Sequence, residues 1–471
     1  MSKCEELIER EYMKTMTLTK LAEVTGGQLV VPEGSQILEE KEISGAVNDN
    51  RKIEKDNLFI PMVGARVDGH DFIEDAFSKG ALAALSERKL EKASGPYIIV
   101  DNTRLALKQI ATAYRQVLSI PIVGVIGSVG KTSTKEMITS VLETKFNVLK
   151  TEGNFNNEIG LPLTICRIND EHQVAVVEMG ISDFDEMHRL GDIAKPDIVV
   201  MTNIGQCHLE FLKDRDGVLK AKTEVFEHMP KNGLVILNGD DDKLQVADTL
   251  GLEKIFYGLN GQEINAVDVA ADGILGTRAT FNVAGESFDV TIHLPGTHNI
   301  MNGLAAAAVG KKLGLKLEEI KRGLENAGTI AGRNNIISIR DIAVIDDCYN
   351  ANPVSMKASI EVLGHASGRT IAVLGDMKEL GADERSLHYE MGKALEDNRI
   401  GYVFTVGELA QEINKSLEQK NGSCMAYHYD DVETMLEDLL PIIRGGDTIL
   451  VKASHSMNFN AVVEAIKKRF E

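Results

Sequence analysis

The sequence predicts an α/β protein of three domains, and three observations carry that prediction. A chain of 471 residues is too long for one ordinary hydrophobic core. From Pro121 onward, short apolar runs alternate with helical stretches, which is typical of a parallel sheet buried on both faces. A similar alternation returns towards the C-terminus. We expect a small N-terminal domain over residues 1–102, a central domain over 103–314 and a C-terminal, Rossmann-like domain over 315–471.

Composition argues against several classes of protein. Hydrophobic residues make up 43% of the chain and charged residues 26%, which is ordinary globular usage. A net charge of −20 argues against nucleic acid or an anionic membrane as the main partner, because both reward basic surfaces. No run reaches the roughly 18 apolar residues of a membrane span, and the charged stretch over residues 1–18 lacks the apolar core of a signal peptide. We therefore expect a cytoplasmic protein without stable membrane insertion. The sequence does not determine its oligomeric state, for which a monomer is the default expectation.

The cysteines indicate a reducing compartment. Five of them are scattered along the chain, at Cys4, Cys166, Cys207, Cys348 and Cys424. Their number is odd, and no two of them have the CxxC spacing. They therefore predict neither a disulfide framework nor a zinc site.

The elements predicted for the N-terminal domain are short. Apolar or strand-like runs occupy residues 27–31, 57–64 and 97–100, and a helical pattern covers residues 74–87. This combination indicates a small α/β domain.

The central domain shows the strongest strand pattern. Four nearly all-apolar runs predict buried parallel strands: 121–127, 173–180, 197–205 and 234–239. A helical pattern over residues 132–146 follows the first of them. From Ala279 to Leu294 polar and apolar residues alternate instead, which predicts a small antiparallel addition before a helix over residues 299–314.

The C-terminal domain repeats the parallel pattern. Four strand-like runs alternate with helical segments there: 342–347, 370–376, 402–407 and 448–454. They predict a second open α/β sheet of Rossmann-like character.

A candidate phosphate-binding loop joins the first central strand to its helix. The loop comprises Gly127, Ser128, Val129, Gly130, Lys131, Thr132 and Ser133. Glycines let backbone N–H groups approach phosphate oxygens, while a lysine and a hydroxyl at the helix N-terminus can hold β/γ-phosphates and Mg²⁺. Val125 stands where the strict GxxxxGK[ST] pattern has its first glycine, so the loop is a shortened variant. A tight turn is the alternative, but the Lys-Thr-Ser sequence favours ATP binding.

Three polar residues form a candidate metal site. Glu178 ends one central strand and His208 follows the next, at the carboxyl ends where open α/β sheets bind ligands. A carboxylate and an imidazole beside a triphosphate can ligate Mg²⁺, although single residues of this kind are often ordinary loop residues. Lys222 lies in a nearby helical stretch, and the sequence alone favours a solvated lysine. A buried lysine could instead react with carbon dioxide to form a metal-bridging carbamate.

The chain resembles the Mur ligase superfamily, which includes the muramyl peptide ligases and folylpolyglutamate synthetase. The resemblance covers most of the chain, and its motifs come in the order of that superfamily. They are GSVGKTS at 127–133, TEGNFNNEIGLPLT at 151–164, VEMG at 177–180, the His208 segment, KAKTEVF at 220–226, GTHNIMN at 296–302 and Gly332-Arg333.

Three further segments resemble the branch of the superfamily that adds D-alanyl-D-alanine to UDP-MurNAc-tripeptide. They are DDCYNANP at 346–353, LGDMKELG at 374–381 and DGHDF at 68–72. Neighbouring branches carry histidine-containing versions of the first segment. Asn50 and the Ile60-Pro61-Met62 run depart from the usual residues of the nucleotide-sugar domain, which affects uridine recognition but none of the ATP-site residues.

The resemblance implies an ATP-dependent peptide ligase of the cytoplasmic stage of peptidoglycan synthesis. A tripeptide carboxylate would attack the γ-phosphate of ATP, and the amine of D-alanyl-D-alanine would then displace phosphate from the acyl phosphate. UDP-MurNAc-tripeptide would bind the N-terminal domain, ATP the central domain and the incoming dipeptide the C-terminal domain. The central and C-terminal domains would close on ATP to protect the acyl phosphate from water.

The resemblance also implies roles for individual residues. Thr132, Glu178 and His208 would hold Mg²⁺, and a carbamylated Lys222 would orient a second ion. Lys131 and Arg333 would offset the negative charge that develops during transfer. The remaining nucleotide contacts would come from Asn157 beside the phosphates, Asn299 and Asn302 at the adenine, Asp347 at the ribose, and Asn350 and Asn352 in the same cleft. A helix cap at His298-Asn299 is compatible with adenine contact.

Two alternatives differ in kind. The first is another amide-forming member of the superfamily, such as a folylpolyglutamate synthetase or the ligase that adds the third amino acid, and the YNANP segment disfavours both. The second is a regulatory protein that binds ATP without peptide-bond chemistry. The combination of Thr132, Glu178, Lys222 and His208 argues against it. The sequence leaves open whether the third residue of the tripeptide is meso-diaminopimelate or lysine.

Overall fold

A computed structural model of the chain describes residues 13–32, 40–418 and 424–471. Cys4 and most of the charged N-terminal stretch lie outside the described residues. None of the helices in the described ranges is both long and apolar enough to cross a membrane. The described residues form three sheets with flanking helices, which confirms the predicted α/β architecture of three domains.

The N-terminal domain is built on a five-stranded sheet. Its elements are α1 (Leu18–Thr25), β1 (Gln28–Val30), β2 (Ala46–Val47), β3 (Leu58–Phe59), α2 (Ile73–Ser78), β4 (Ala83–Ser86) and β5 (Tyr97–Ile99). The strand order is β1-β5-β4-β3-β2, and only β1 is antiparallel to its neighbour. The helix predicted over residues 74–87 was wrong beyond Ser78, because Gly80 has a φ of +104° and the apolar run after it enters the sheet as β4.

The central domain contains a nine-stranded sheet. Its strands are β6 (Ile122–Ile126), β7 (Val148–Lys150), β8 (Val174–Glu178), β9 (Ile198–Met201), β10 (Leu234–Asn238), β11 (Glu253–Gly258), β12 (Ile264–Ala271), β13 (Thr277–Val283) and β14 (Glu286–Ile292). They lie in the order β14-β13-β12-β11-β10-β9-β6-β8-β7. The antiparallel addition predicted from Ala279 is confirmed as β13 and β14.

Eight helices flank or follow these strands within the described central region. They are α3 (Thr103–Val117), α4 (Lys131–Leu142), α5 (Gly160–Ile165), α6 (Glu186–Ala194), α7 (Leu209–Leu212), α8 (Arg215–Thr223), α9 (Asp242–Gln245) and α10 (Thr297–Lys312). Buried residues of α3 such as Leu107 and Tyr114 join one apolar cluster that contains Leu58 of the N-terminal sheet and Ile126 of the central sheet. The N-terminal and central domains therefore share a continuous core.

The C-terminal domain carries a six-stranded sheet. Its strands are β15 (Asn335–Ile339), β16 (Ile342–Asp346), β17 (Arg369–Gly375), β18 (Tyr402–Val406), β19 (Met425–Tyr429) and β20 (Asp447–Lys452). Helix α11 (Leu317–Glu325) connects the central domain to this one. The helices of the C-terminal domain are α12 (Pro353–Gly364), α13 (Glu384–Asp397), α14 (Gln411–Glu418), α15 (Val432–Ile442) and α16 (Asn460–Phe470). The strand order is β15-β16-β20-β17-β18-β19, parallel except for β15.

Helix α11 packs on the central domain although it follows the predicted boundary at residue 314. Ile320 and Leu324 belong to the same buried cluster as Val141 of α4. The hydroxyl of Ser140 donates a 2.7 Å hydrogen bond to the carbonyl oxygen of Gly323. The core of the central domain therefore extends past residue 314, because the apolar face of α11 is buried there.

Gly323 sets the close approach of α11 to the helix that begins at the phosphate loop. A Cβ atom at this position would lie 2.4 Å from Cα of Val141. We predict that Gly323→Ala lowers the free energy of unfolding by about 1–3 kcal/mol, because the two backbones must separate. Urea unfolding of both proteins measures the change. Gly328→Ala is the matched control, since nothing lies within 4 Å of its Cβ position; equal losses in the two variants would contradict the packing argument.

Candidate active site

A cavity of about 750 Å³ lies between the central and C-terminal domains. Several segments of the fold meet around it, among them the loop before α4, the segment after β9, the start of α10, the connection that follows α11 and the segment between β16 and α12. The loop and Glu178 lie at the carboxyl ends of parallel strands, which is where open α/β sheets bind ligands.

The phosphate loop is shaped by two glycines. A Cβ atom on Gly127 would lie 1.9 Å from the hydroxyl oxygen of Thr202, so only glycine fits against the end of β9. Gly130 has a φ of +83° and leads directly into α4. Gly124 lies inside β6, so it forms no part of the loop. The N-terminus of α4 and the side chain of Lys131 consequently face the cavity.

Glu178 is a buried carboxylate held by neutral donors. Its side chain accepts a 2.8 Å hydrogen bond from the hydroxyl of Thr132 and another of 2.8 Å from the amide of Asn156. The residue is 2% exposed, and across the described residues no lysine or arginine lies within ion-pair distance of it. A buried anion without a cationic partner is costly. The oxygen ligands of Thr132 and Glu178 therefore fit a hard divalent cation such as Mg²⁺.

His208 connects the two domains. It follows β9 with a left-handed φ of +52°, and its Nδ1 atom lies 2.9 Å from the carboxylate of Glu379 in the C-terminal domain. Burial lowers the pKa of His208, and the negative charge of Glu379 works against that shift. This contact brings the LGDMKELG segment to the edge of the central site.

Lys222 is buried in α8, so the alternative of a solvated lysine is wrong. Its side chain is 1% exposed. Burial lowers its pKa to about 8, and the neighbouring charge of Lys131 acts in the same direction while Cys207 opposes it. A lysine in this environment supplies a neutral amine close to neutral pH.

The start of α10 forms another part of the wall. The amide of Asn302 donates to Asn299 over 3.1 Å and accepts a 2.9 Å hydrogen bond from the hydroxyl of Thr134. The amide of Asn299 donates to the carbonyl oxygen of Pro295 over 2.8 Å. The helix cap expected at His298-Asn299 is wrong, because Gly296 occupies the N-cap position without a side-chain bond.

Asp347 organises the wall on the C-terminal side. Its carboxylate lies 2.6 Å from the Nζ atom of Lys452 and accepts a 3.1 Å hydrogen bond from the backbone N–H of Asn334. Lys452 also donates to the carbonyl oxygen of Asn350 over 3.0 Å. The guanidinium of Arg333 lies 4.1 Å from the centre of the Tyr349 ring. A buried ion pair thus joins the end of β20 to the segment after β16.

Most of the residues expected at the nucleotide line this cavity. They are Ser128, Val129, Gly130, Lys131, Thr132, Ser133, Glu178, Asn299, Asn302, Arg333, Asp347, Asn350 and Asn352. Gly127, His208 and Lys222 lie outside the lining. Asn157 is also outside, because its side chain accepts hydrogen bonds from the backbone N–H groups of Ile159 and Gly160 at the start of α5.

Asn156, Lys452 and Glu379 are among the residues of the site that were not predicted from the sequence. Asn156 lines the cavity and donates to Glu178, whereas Asn157, which was expected beside the phosphates, lies outside the lining. Lys452 is the final residue of β20, and a polar residue at the carboxyl end of a parallel strand is the sequence feature that could have identified it as a site residue. Glu379 lies within a motif that had been recognised, but nothing in the sequence pairs it with His208.

Comparison with known proteins identifies relatives over nearly the whole chain. Residues 125–310 match the Mur ligase middle domain, residues 332–455 the glutamate ligase domain of Mur ligases, and residues 42–115 the Mur ligase family catalytic domain. The UDP-N-acetylmuramoyl-tripeptide--D-alanyl-D-alanine ligase of Bacillus subtilis is 36% identical over 454 residues, covering 95% of this chain and 97% of the relative.

Solved structures show the same similarity. A crystal structure of MurF from Acinetobacter baumannii superposes with a TM-score of 0.86 at 29% identity, over 96% of this chain and 99% of that one. MurF from Thermotoga maritima, solved in complex with ADP, gives a TM-score of 0.80 at 30% identity, over 90% of this chain and 97% of that one.

The buried ion pair of Asp347 and Lys452 gives a test of the C-terminal wall. We predict that Lys452→Met lowers the free energy of unfolding by about 3–5 kcal/mol, because it leaves a buried carboxylate without its ammonium partner. Asp347→Asn combined with Lys452→Met should recover part of the loss, and denaturant titration of the C-terminal domain measures both. A single variant as stable as the parent would show that the pair is not buried as described.

Proposed function

Because the chain belongs to the Mur ligase family, we propose that it joins D-alanyl-D-alanine to UDP-MurNAc-tripeptide at the expense of ATP, as an enzyme of peptidoglycan synthesis. The observation that carries the proposal is one cavity with a phosphate loop and a buried acidic site on one wall and the DDCYNANP segment on the other. The Bacillus subtilis relative is named for this reaction, and the Thermotoga maritima relative binds ADP.

ATP would bind with its phosphates at the N-terminus of α4. The backbone N–H groups of the loop and the helix dipole favour negative charge there. The Nζ atom of Lys131 donates to the carbonyl oxygen of Gly127 over 2.9 Å, a position from which its flexible side chain can turn to a β- or γ-phosphate. Asn299, Asn302 and Asp347 line the same cavity and would bind the nucleoside.

Two Mg²⁺ ions would be held by residues of the central domain. Thr132 and Glu178 supply oxygen ligands, His208 a nitrogen, and a carbamylated Lys222 an additional anionic oxygen. When bound, the ions would neutralise charge on the transferring phosphoryl group. The unpaired carboxylate of Glu178 is the feature that fits a cation.

Carbamylation of Lys222 explains why a lysine is buried beside a metal site. The ammonium first loses one proton to solvent; the neutral amine then attacks carbon dioxide, a C–N bond forms and a second proton leaves, so that a cationic side chain becomes an anionic carbamate. Burial lowers the pKa of Lys222 to about 8, so the reactive amine form is accessible near neutral pH. The resulting anion would offset the charge of Lys131.

The reaction consists of two displacements. The tripeptide carboxylate attacks the γ-phosphorus, the bond to the β-phosphate oxygen breaks, and ADP leaves. The amine of D-alanyl-D-alanine then attacks the acyl carbon, phosphate leaves with one carboxylate oxygen, and the amine loses a proton. Lys131 and Arg333 offset the negative charge that accumulates as two anions approach.

Closure of the C-terminal domain would protect the acyl phosphate from water. The contact between His208 of the central domain and Glu379 of the C-terminal domain spans the two domains. In the closed enzyme, Glu379 would therefore contact a residue that we propose as a metal ligand. Because both ATP and a UDP-linked sugar are cytoplasmic metabolites, we assign the reaction to the cytoplasm. A monomer suffices, since all these residues come from one chain.

The reaction itself tests the proposal. We predict that the purified protein with Mg²⁺, ATP and UDP-MurNAc-tripeptide releases phosphate only when D-alanyl-D-alanine is added, with stoichiometric UDP-MurNAc-pentapeptide detected by mass spectrometry. Parallel assays with the lysine and meso-diaminopimelate tripeptides identify the third residue. Absence of product with both tripeptides, while ATP still binds, would refute the assignment.

The carbamate has a separate test. We predict that Lys222→Ala lowers kcat at least a hundredfold while leaving ATP affinity within a few-fold, because one missing electrostatic group costs about 10²–10³ in rate. Added acetate should restore part of the activity by supplying a carboxylate. Lys222→Arg is the control, since arginine stays charged, forms no carbamate and leaves no space for acetate. Full activity of the arginine variant would show that no carbamate is needed.

A further inference from the structure

A cluster of metal-ligating side chains lies on the central domain, apart from the cavity. It consists of His188 in α6 together with Glu227 and His228 in the 3-10 helix Glu224–His228 that directly follows α8. Their ligand atoms all lie within 4.8 Å of one another. None of the three lines the cavity, and the proposed ligase reaction gives them no role.

We propose that His188, Glu227 and His228 form a binding site for a divalent transition metal of the Zn²⁺ type. Two imidazoles and one carboxylate are a nitrogen-rich ligand set that suits zinc, copper, nickel or cobalt and not Mg²⁺. The remaining coordination positions would be filled by water, since two of the three side chains are exposed to solvent.

The distances fit such an ion. The Nε2 atom of His228 lies 3.0 Å from Nδ1 of His188, and that Nδ1 atom lies 3.4 Å from the carboxylate of Glu227. Bonds of about 2.0–2.1 Å in tetrahedral geometry place two ligand atoms roughly 3.3 Å apart. The imidazoles therefore need to separate by only a few tenths of an ångström to admit the metal.

The ligand atoms of the three side chains lie close to one another, with Nδ1 of His188 next to both of the others. In neutral His188 the Nδ1 atom either donates its hydrogen to one neighbour or, in the other tautomer, accepts one from His228, so it cannot satisfy both His228 and Glu227 by donation. A metal ion would satisfy all three atoms at once. The other ring nitrogen of His228 faces Asp192 at 4.0 Å, on the side where a ligating histidine usually has a carboxylate to orient it. Asp192 is itself held 3.8 Å from Lys195.

Both imidazoles are positioned by features of the backbone. The carboxylate of Glu224 accepts hydrogen bonds of 3.2 Å from the backbone N–H groups of Asp185 and His188, which ties the start of α6 to the 3-10 helix. A Cβ atom on Gly191 would lie 2.8 Å from Cδ2 of His228, so glycine provides the space for this ring. A bound metal would clamp α6 to the segment that follows Lys222.

Zinc binding by the full-length protein tests the proposal. Zn²⁺ is titrated calorimetrically with millimolar Mg²⁺ and saturating ADP present, and Co²⁺ is added separately to record its visible absorption. We expect one tight Zn²⁺ equivalent, a tetrahedral Co²⁺ spectrum and a higher Tm with Zn²⁺. His188→Ala and Glu227→Gln should each weaken binding at least tenfold, and His188→Ala should lose the Tm increase.

Two control variants locate the site. His293→Ala removes an exposed imidazole elsewhere, and His208→Ala removes the one at the catalytic centre; both should bind Zn²⁺ as the parent does. Because the His188 side chain is 51% exposed, His188→Ala should melt like the parent without zinc, which excludes misfolding. Absence of Zn²⁺ binding to the parent, undiminished binding to His188→Ala, or loss of binding in His208→Ala would each overturn the proposal.

Discussion

The buried carboxylate of Glu178 is the interaction on which the arrangement of the site depends. It ends β8 and receives hydrogen bonds from Thr132 at the start of α4 and from Asn156 in the loop before α5. One anion therefore sets the relative positions of the phosphate loop and two neighbouring segments. Because only neutral donors surround it, its charge remains available to a cation that arrives with the nucleotide. The close approach of Gly127 to Thr202 holds the loop beside this point.

The second half of the site comes from the other domain and is built differently. Asp347 carries its own cation, Lys452, and its hydrogen bond to Asn334 ties it to the connection between the domains. On that wall Asp347 has its cationic partner before any ligand binds, whereas the central wall holds Glu178 without a cationic partner. A triphosphate brings charge to the central wall, and the contact between His208 and Glu379 places the C-terminal domain against it.

Sequence patterns predicted the fold class and the four principal central strands. Thirteen of the residues expected from those patterns and from the family resemblance line the cavity. The strands were predictable because buried parallel strands are continuous apolar runs, and the phosphate loop and Glu178 stood out because ligands bind at the carboxyl ends of such strands. Prediction from the sequence failed where tertiary context decides. The run after Gly80 has helical composition but enters a sheet as β4. Asn156 and Asn157 are adjacent and chemically identical, so only the backbone determines which one faces Glu178.

The central claim is that ATP cleavage activates the tripeptide carboxylate itself. The most direct measurement uses UDP-MurNAc-tripeptide with both oxygens of its terminal carboxylate labelled with ¹⁸O. Displacement through an acyl phosphate transfers one labelled oxygen to inorganic phosphate and leaves the other in the new amide carbonyl, and mass spectrometry should find both. Unlabelled phosphate released together with pentapeptide would contradict this account, because ATP would then be cleaved without attack by the carboxylate.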